Sequence, residues 1–121
     1  MKKVIMTVDD SISIRRMVGI TLRNADYEVL EAVDGKDALS KMNGINVTMI
    51  ILDLYMPEMN GIEFICSLRS DPTCRYIPIL MLTTESEKAK KNEGKSAGAT
   101  GWMVKPFKPE QLLSVVRRLA G

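Results

Sequence analysis

Polar residues follow four of the short apolar runs in this sequence. At the ends of these runs stand Asp9 and Asp10, then Asp53, then Thr83 and lastly Lys105. Clustered carboxylates are ligands for hard cations such as Mg²⁺, and a carboxylate can also act as a nucleophile and form an aspartyl phosphate. Phosphoryl transfer then needs positioning and charge neutralisation, which an ammonium group and a hydroxyl can provide. These residue types predict phosphoryl-transfer chemistry if the fold brings them together.

The pattern of apolar residues predicts a sheet that would do so, because strand-like runs alternate with segments of helical spacing. The predicted strands are 4–8, 27–32, 47–52, 77–82 and 101–104. The predicted helices are 12–25 with Ser11 as N-cap, a short one from Asp34 with Ala38, Leu39 and Met42 inward, 61–68, 85–97, and one that begins at Pro109. Such alternation is typical of a parallel α/β sheet, in which ligands bind beyond the carboxyl ends of the strands.

Two of these predicted elements have a weak pattern. Glu28 and Glu31 interrupt the strand 27–32, which favours a position at the edge of the sheet. The helix 85–97 is rich in lysine, has few apolar residues and contains Gly94, so we expect it to be locally weak. Its lysines are either a solvated face or a surface for an acidic partner.

Composition excludes several classes of function. The chain has 121 residues, the size of one domain, and a net charge of +2 that gives no reason to expect nucleic-acid binding. It contains no histidine, which excludes His-based catalytic triads and His-ligated metal sites on this chain. Its two cysteines form no metal-ligand pattern, and no apolar stretch reaches the length of a membrane span. We therefore expect a cytoplasmic protein with free thiols and no membrane insertion.

Four motifs of the chain resemble the receiver domain of two-component response regulators along its whole length. They are Val8-Asp9-Asp10-Ser11, Asp53-Leu54-Tyr55-Met56-Pro57 running to Asn60-Gly61, Thr83-Thr84-Glu85, and Lys105-Pro106-Phe107. The resemblance implies a flavodoxin-like α/β fold, a doubly wound five-stranded parallel sheet of order 2-1-3-4-5 with five helices. It also implies a single receiver domain over residues 1–121 without an output domain. Such a domain catalyses its own phosphorylation and dephosphorylation and is not otherwise an enzyme.

The resemblance implies a metal-assisted phosphorylation site. Asp53 would be the phosphoacceptor, and Mg²⁺ would be bound by Asp10, Asp53 and the backbone carbonyl of Tyr55, with Asp9 acting mostly through water. The side chains of Tyr55 and Glu85 lie close in sequence to site residues, so we expect both to influence how fast the phosphate is lost.

The resemblance also implies a switch. Lys105 would pair with the phosphoryl oxygens, and Thr83 would move to donate a hydrogen bond to them. Trp102 stands where the family usually has Tyr or Phe, a ring that turns inward when the threonine moves. The peptide between Lys105 and Pro106 is a candidate for the cis form, which an X-Pro bond permits at modest cost.

The expected phosphoryl donor is a histidine kinase. Among single-domain receivers the chemotaxis (CheY-like) type is preferred, with the flagellar motor switch as target and a phosphatase as a further candidate partner. A relay receiver that passes its phosphate to another protein is the alternative within this class. A haloacid-dehalogenase-like phosphatase is an alternative from another class, although Tyr55 stands where that family has a second acid. A nucleotide-binding protein ranks last, because no Gly-rich loop follows any strand.

Overall fold

The structure, a computed structural model, describes residues 2–54, 60–84 and 91–121, in which strands and helices alternate along the chain. The strands are β1 (Val4–Val8), β2 (Glu28–Ala32), β3 (Met49–Asp53), β4 (Ile79–Thr83) and β5 (Gly101–Val104). The helices are α1 (Ile12–Asn24), α2 (Gly35–Met42), α3 (Gly61–Ser70), α4 (Lys91–Ala97) and α5 (Pro109–Ala120). None of these helices is long and apolar enough to cross a membrane.

The strands form one parallel sheet in the order β2-β1-β3-β4-β5, which confirms the predicted α/β fold and its topology. β2 lies at the edge of this sheet, as its interrupted pattern predicted. β3 and β4 begin two residues later than predicted and include Asp53 and Thr83 as their last residues. Both polar side chains are therefore held by a strand rather than by the loop that follows it.

Each face of the sheet is covered by helices with an apolar side. Phe64, Ile65 and Leu68 of α3 pack on one face, and the other face is covered by α1 and α5. The predicted inward position of Leu39 in α2 is wrong, since Leu39 is 37% exposed whereas its neighbour Ala38 is buried. Successive helical residues point about 100° apart, so a short helix that buries Ala38 turns Leu39 towards solvent.

The helix predicted over 85–97 is described from Lys91 onwards. Within it, Gly94 is buried against β4, where a Cβ atom would lie 2.5 Å from the Sδ atom of Met81. The sequence pattern indicated only that this glycine weakens the helix. The structure gives it a second role, because a larger residue would require the end of the Met81 side chain to move.

Gly61, the first residue of α3, lies close to the end of β3. The Gly61 N–H donates to the Leu54 carbonyl at 2.8 Å, and a Cβ atom on Gly61 would lie 2.9 Å from that same oxygen. Asn60 caps α3 by accepting from the Glu63 N–H at 2.9 Å. Glycine at this position thus allows α3 to begin directly beside the backbone that carries Asp53.

Candidate functional site

The candidate site lies at the carboxyl edge of the sheet and begins with Asp9, which directly follows β1. Its side chain is 1% exposed. The Asp9 N–H donates to the Ala32 carbonyl of β2 at 3.0 Å, and its Oδ1 accepts from the Ser11 N–H at 2.9 Å. The second carboxylate oxygen, Oδ2, has no hydrogen-bond partner within residues 2–54, 60–84 and 91–121. Asp10, the next residue, is exposed.

Asp53 and Lys105 complete the charged part of the site. Asp53 is buried at the end of β3, and the Lys105 Nζ donates to its Oδ1 at 3.0 Å. The same ammonium lies 3.9 Å from the Oδ2 of Asp9. One carboxylate oxygen each from Asp9, Asp10 and Asp53 lies within 4.8 Å of the others. We refer to these three aspartates as the acidic cluster.

Burial is the main influence on proton affinity in the acidic cluster. It raises the pKa of Asp53 to about 6, and the nearby charge of Asp9 adds to this effect while Lys105 opposes it. Burial also raises the pKa of Asp9, against a hydrogen bond from Ser11 and the charge of Lys105. Both shifts reflect the cost of holding negative charge away from water. The cluster therefore favours neutralisation, by a proton or by a cation.

The donor set fits a hard metal ion. Three carboxylates converge, and the Oδ2 of Asp9 is a buried acceptor that no hydrogen bond satisfies in the described ranges. Such oxygen-rich sites suit Mg²⁺ or Ca²⁺ rather than a softer metal. The backbone carbonyl of Tyr55, which the resemblance added to the ligand set, lies outside the described residues, and so does Glu85.

Thr83 occupies the neighbouring strand end, as predicted. It is fully buried as the last residue of β4, which pairs with β3 on one side and β5 on the other. The Thr83 carbonyl accepts a hydrogen bond from the Lys105 N–H at 2.6 Å. Thr83 is therefore bonded to the residue whose ammonium pairs with Asp53. Its hydroxyl has no hydrogen-bond partner in the described part of the chain. The peptide between Lys105 and Pro106 is cis, as the resemblance implied.

Trp102 lies away from the carboxylates, on β5 at the side of the sheet covered by α3 and α4. It is half-buried and pairs in register with Met81 of β4. The Nζ atoms of Lys91 and Lys95 lie 3.7 Å and 4.6 Å from the centre of its ring. These distances are typical of cation–π contacts. The sequence indicates a lysine-rich helix and a single tryptophan, but it does not predict that they meet. We call Lys91, Lys95 and Trp102 the lysine–tryptophan cluster.

Sequence reasoning also missed Arg15, which reaches back from α1 to the site. Its Nη1 donates to the carbonyl oxygen of Asp9 at 2.6 Å. A basic residue four positions after the N-cap Ser11 is common on helix surfaces and gives no signal by itself. Only the approach of α1 to the end of β1 brings the two groups together.

Comparisons with known proteins agree with this fold. Residues 5–117 match the family of response regulator receiver domains. The chain is 41% identical over 110 residues to the chemotaxis protein CheY1 of Helicobacter pylori, covering 89% of each. Its structure resembles that of the chemotaxis response regulator CheY4 of Vibrio cholerae, with 50% identity, a TM-score of 0.92 and coverage of 98% of this chain and 99% of that chain.

A third similar structure holds a metal. It is the receiver domain of the sensor histidine kinase PA1611 from Pseudomonas aeruginosa PAO1, with a magnesium ion coordinated in its active site cleft. It is 24% identical, with a TM-score of 0.90, and the match covers 100% of this chain and 99% of that chain. At this identity the likeness shows the fold alone.

Proposed function

The chain belongs to the family of response regulator receiver domains, and we propose that it is a switch activated by phosphorylation of Asp53. It is homologous to CheY-type chemotaxis regulators, which is consistent with such a role. One observation supports Asp53 as the acceptor above all others. It is a buried carboxylate that is paired with an ammonium and lies beside two further carboxylates.

In the proposed reaction, an oxygen of the Asp53 carboxylate attacks the phosphorus of a phosphohistidine on a kinase. The new O–P bond forms as the P–N bond breaks, and the imidazole of the donor leaves with the electron pair. Asp53 must be ionised to attack, and a cation bound beside it would favour that form against the burial that raises its pKa to about 6. The ammonium of Lys105, now 3.0 Å from Asp53, neutralises charge on the transferred phosphoryl oxygens.

The acidic cluster would hold Mg²⁺ through the carboxylates of Asp9, Asp10 and Asp53. Bound there, the ion supplies charge neutralisation for these carboxylates and for the phosphoryl oxygens. The buried Oδ2 of Asp9 supports this assignment, since it accepts no hydrogen bond in the described ranges and its ion pair with Lys105 is long, at 3.9 Å.

We further propose that phosphorylation is read out on the face formed by α4, β5 and α5. The Thr83 side chain can move towards Asp53 and donate a hydrogen bond to a phosphoryl oxygen there. This movement would open space that the ring of Trp102 can enter. The lysines of α4 beside that ring suit an acidic partner segment. The similarity to chemotaxis proteins favours the flagellar motor switch as the target, in the cytoplasm.

Mass spectrometry of the intact protein tests the phosphoacceptor. We expect acetyl phosphate with Mg²⁺ to add one phosphoryl group to the wild type and none to Asp53→Asn. Asp26→Asn is the matched control, because Asp26 is exposed and its positive φ of 74° is tolerated by asparagine. A wild type that stays unmodified, or a modified Asp53→Asn, would contradict the proposal.

Binding experiments test the proposed target. Protein activated with beryllofluoride should bind a motor-switch component more tightly than Asp53→Asn does under the same conditions. Preferential binding of a histidine phosphotransfer protein would instead favour the relay function. Membership of the receiver family leaves the haloacid-dehalogenase-like and nucleotide-binding alternatives without support.

A further inference from the structure

We propose that Arg15 is a positioning residue for the acidic cluster, which it serves by fixing the peptide between Asp9 and Asp10, and that Glu31 holds Arg15 in place. This inference rests on the proposed function, because it concerns how the same site is kept ready for a cation and a phosphoryl group.

The peptide between Asp9 and Asp10 lies just beyond the pairing of β1. The N–H of Asp9 is still tied to β2 through the Ala32 carbonyl, and its Oδ1 is tied to Ser11. The Asp9 carbonyl accepts from the Arg15 guanidinium at 2.6 Å. Since a peptide unit is planar, holding this carbonyl also sets the direction in which the chain continues to Asp10. Arg15 thereby orients two neighbouring carboxylates through one backbone group.

Arg15 is itself held by β2. Its side chain is 13% exposed, and its Nε lies 3.5 Å from the Oε1 of Glu31. Glu31 is fixed in turn by its pairing with Thr7 in the sheet, and its other oxygen lies 3.3 Å from the Nη2 of Arg23. A guanidinium has several donors in a rigid plane, so it can meet the carbonyl and the carboxylate together. A lysine has one charged nitrogen and could not keep both contacts.

The choice of a carbonyl as acceptor matters for the chemistry of the site. An arginine bound directly to the carboxylate of Asp9 would compete with a cation for its oxygens. Bound to the carbonyl, Arg15 adds positive charge near the acidic cluster and leaves Oδ2 of Asp9 available. Residues that orient metal ligands in this indirect way typically change metal affinity by about 10–100-fold when they are removed.

Calorimetric titration with Mg²⁺ tests the inference on the whole chain. We expect Arg15→Met to weaken Mg²⁺ binding about tenfold and Arg15→Lys to restore part of the loss. Glu31→Gln should weaken binding less, in the same direction. Arg16→Met is the matched control, because Arg16 is the exposed neighbour on α1, and we expect its affinity to stay within about twofold of the wild type.

Amide hydrogen exchange in EDTA provides a readout without metal. Exchange at the Asp9 amide, which donates to the Ala32 carbonyl, should be faster in Arg15→Met than in the wild type and unchanged in Arg16→Met, whereas a general loss of stability would accelerate exchange in the core strands as well. Wild-type Mg²⁺ affinity in a folded Arg15→Met would overturn the inference and leave the proposed function standing. If Arg15→Met does not fold, wild-type affinity in both Arg15→Lys and Glu31→Gln would overturn it. A wild type that binds no Mg²⁺ would instead remove the proposed metal site.

Discussion

The acidic cluster and the lysine–tryptophan cluster each gather like charges, but in opposite surroundings. Two of the three aspartates are buried, at 1% and 5% exposure for Asp9 and Asp53. Lys91 is half-buried and Lys95 is exposed, and both ammonium groups lie over one indole ring. Water screens the lysines, whereas the carboxylates are shielded from water and depend on Lys105.

This difference indicates a division of tasks. Negative charge held in a buried site is unfavourable until a cation or a proton arrives, so the acidic cluster responds strongly to small ions. The lysine–tryptophan cluster costs little and can rearrange, because each of its contacts is weak and exposed. Chemistry is therefore expected at the first cluster and recognition at the second, with Thr83 on the strand between them.

The largest expected effect is the pH dependence of stability caused by Asp53. Its pKa is raised in the folded state from 3.8 to about 6, so folded protein binds more protons than unfolded protein between these values. Stability in EDTA should therefore fall as the pH rises from 4.5 to 7.5, by about 2 kcal/mol. Asp53→Asn should remove this part of the decrease and unfold at higher urea concentration at pH 7.5.

Asp9 also has a raised pKa, so the stability of Asp53→Asn should still decrease slightly as the pH rises. This smaller decrease should disappear when Asp9→Asn is added. Mg²⁺ should stabilise the wild type at pH 7.5 by binding the folded state, and stabilise either variant less. A wild type that gains stability between pH 4.5 and 7.5 in EDTA would contradict the account of the acidic cluster.

The next largest effect is expected from Lys105→Met. Its ammonium contacts both buried carboxylates, so its removal should destabilise the protein in EDTA at pH 7.5 by about 1–2 kcal/mol. The loss stays moderate because Asp53 can take up a proton instead. Urea unfolding of the single and double variants measures the coupling between Lys105 and Asp53. Lys105→Met should lower the free energy of unfolding much less in an Asp53→Asn background than in the wild type. Equal costs in both backgrounds would show that the pair does not stabilise the fold.

Lys91→Met should have a smaller effect on stability, about 0.5 kcal/mol, since a cation–π contact at an exposed site contributes little. A double-mutant cycle with Trp102→Leu measures the coupling free energy of the pair by urea unfolding. If Lys91→Met costs as much as Lys105→Met, the contrast between the buried and the exposed cluster is wrong.

The smallest effect is optical and links the two clusters. Trp102 is the only tryptophan, so fluorescence has one source. At saturating Mg²⁺, beryllofluoride should change its intensity in the wild type, not in Asp53→Asn, and less in Thr83→Ala. The change should be larger in Lys91→Met, because one contact that holds the ring at the surface is missing. A flat signal while Asp53 is demonstrably phosphorylated would remove Trp102 from the switch.

The sequence by itself determined the fold and the residue types that meet at the carboxyl edge of its sheet. Apolar runs that alternate with helical spacing are local patterns, and a parallel sheet necessarily brings the carboxyl ends of its strands to one edge. Asp9, Asp53, Thr83 and Lys105 could therefore be predicted as neighbours from their positions after these runs. The strand boundaries shifted by one or two residues, and this left the predicted edge unchanged.

The tertiary structure alone decided the contacts between elements that are distant in sequence. The fit of Gly94 on Met81, the approach of Lys91 to Trp102 and the path from Glu31 through Arg15 to Asp9 are examples. Each depends on how closely two elements pack and on which rotamer a long side chain adopts. Neither quantity leaves a periodic pattern in the sequence, because a surface arginine or lysine is compatible with many partners until the packing selects one.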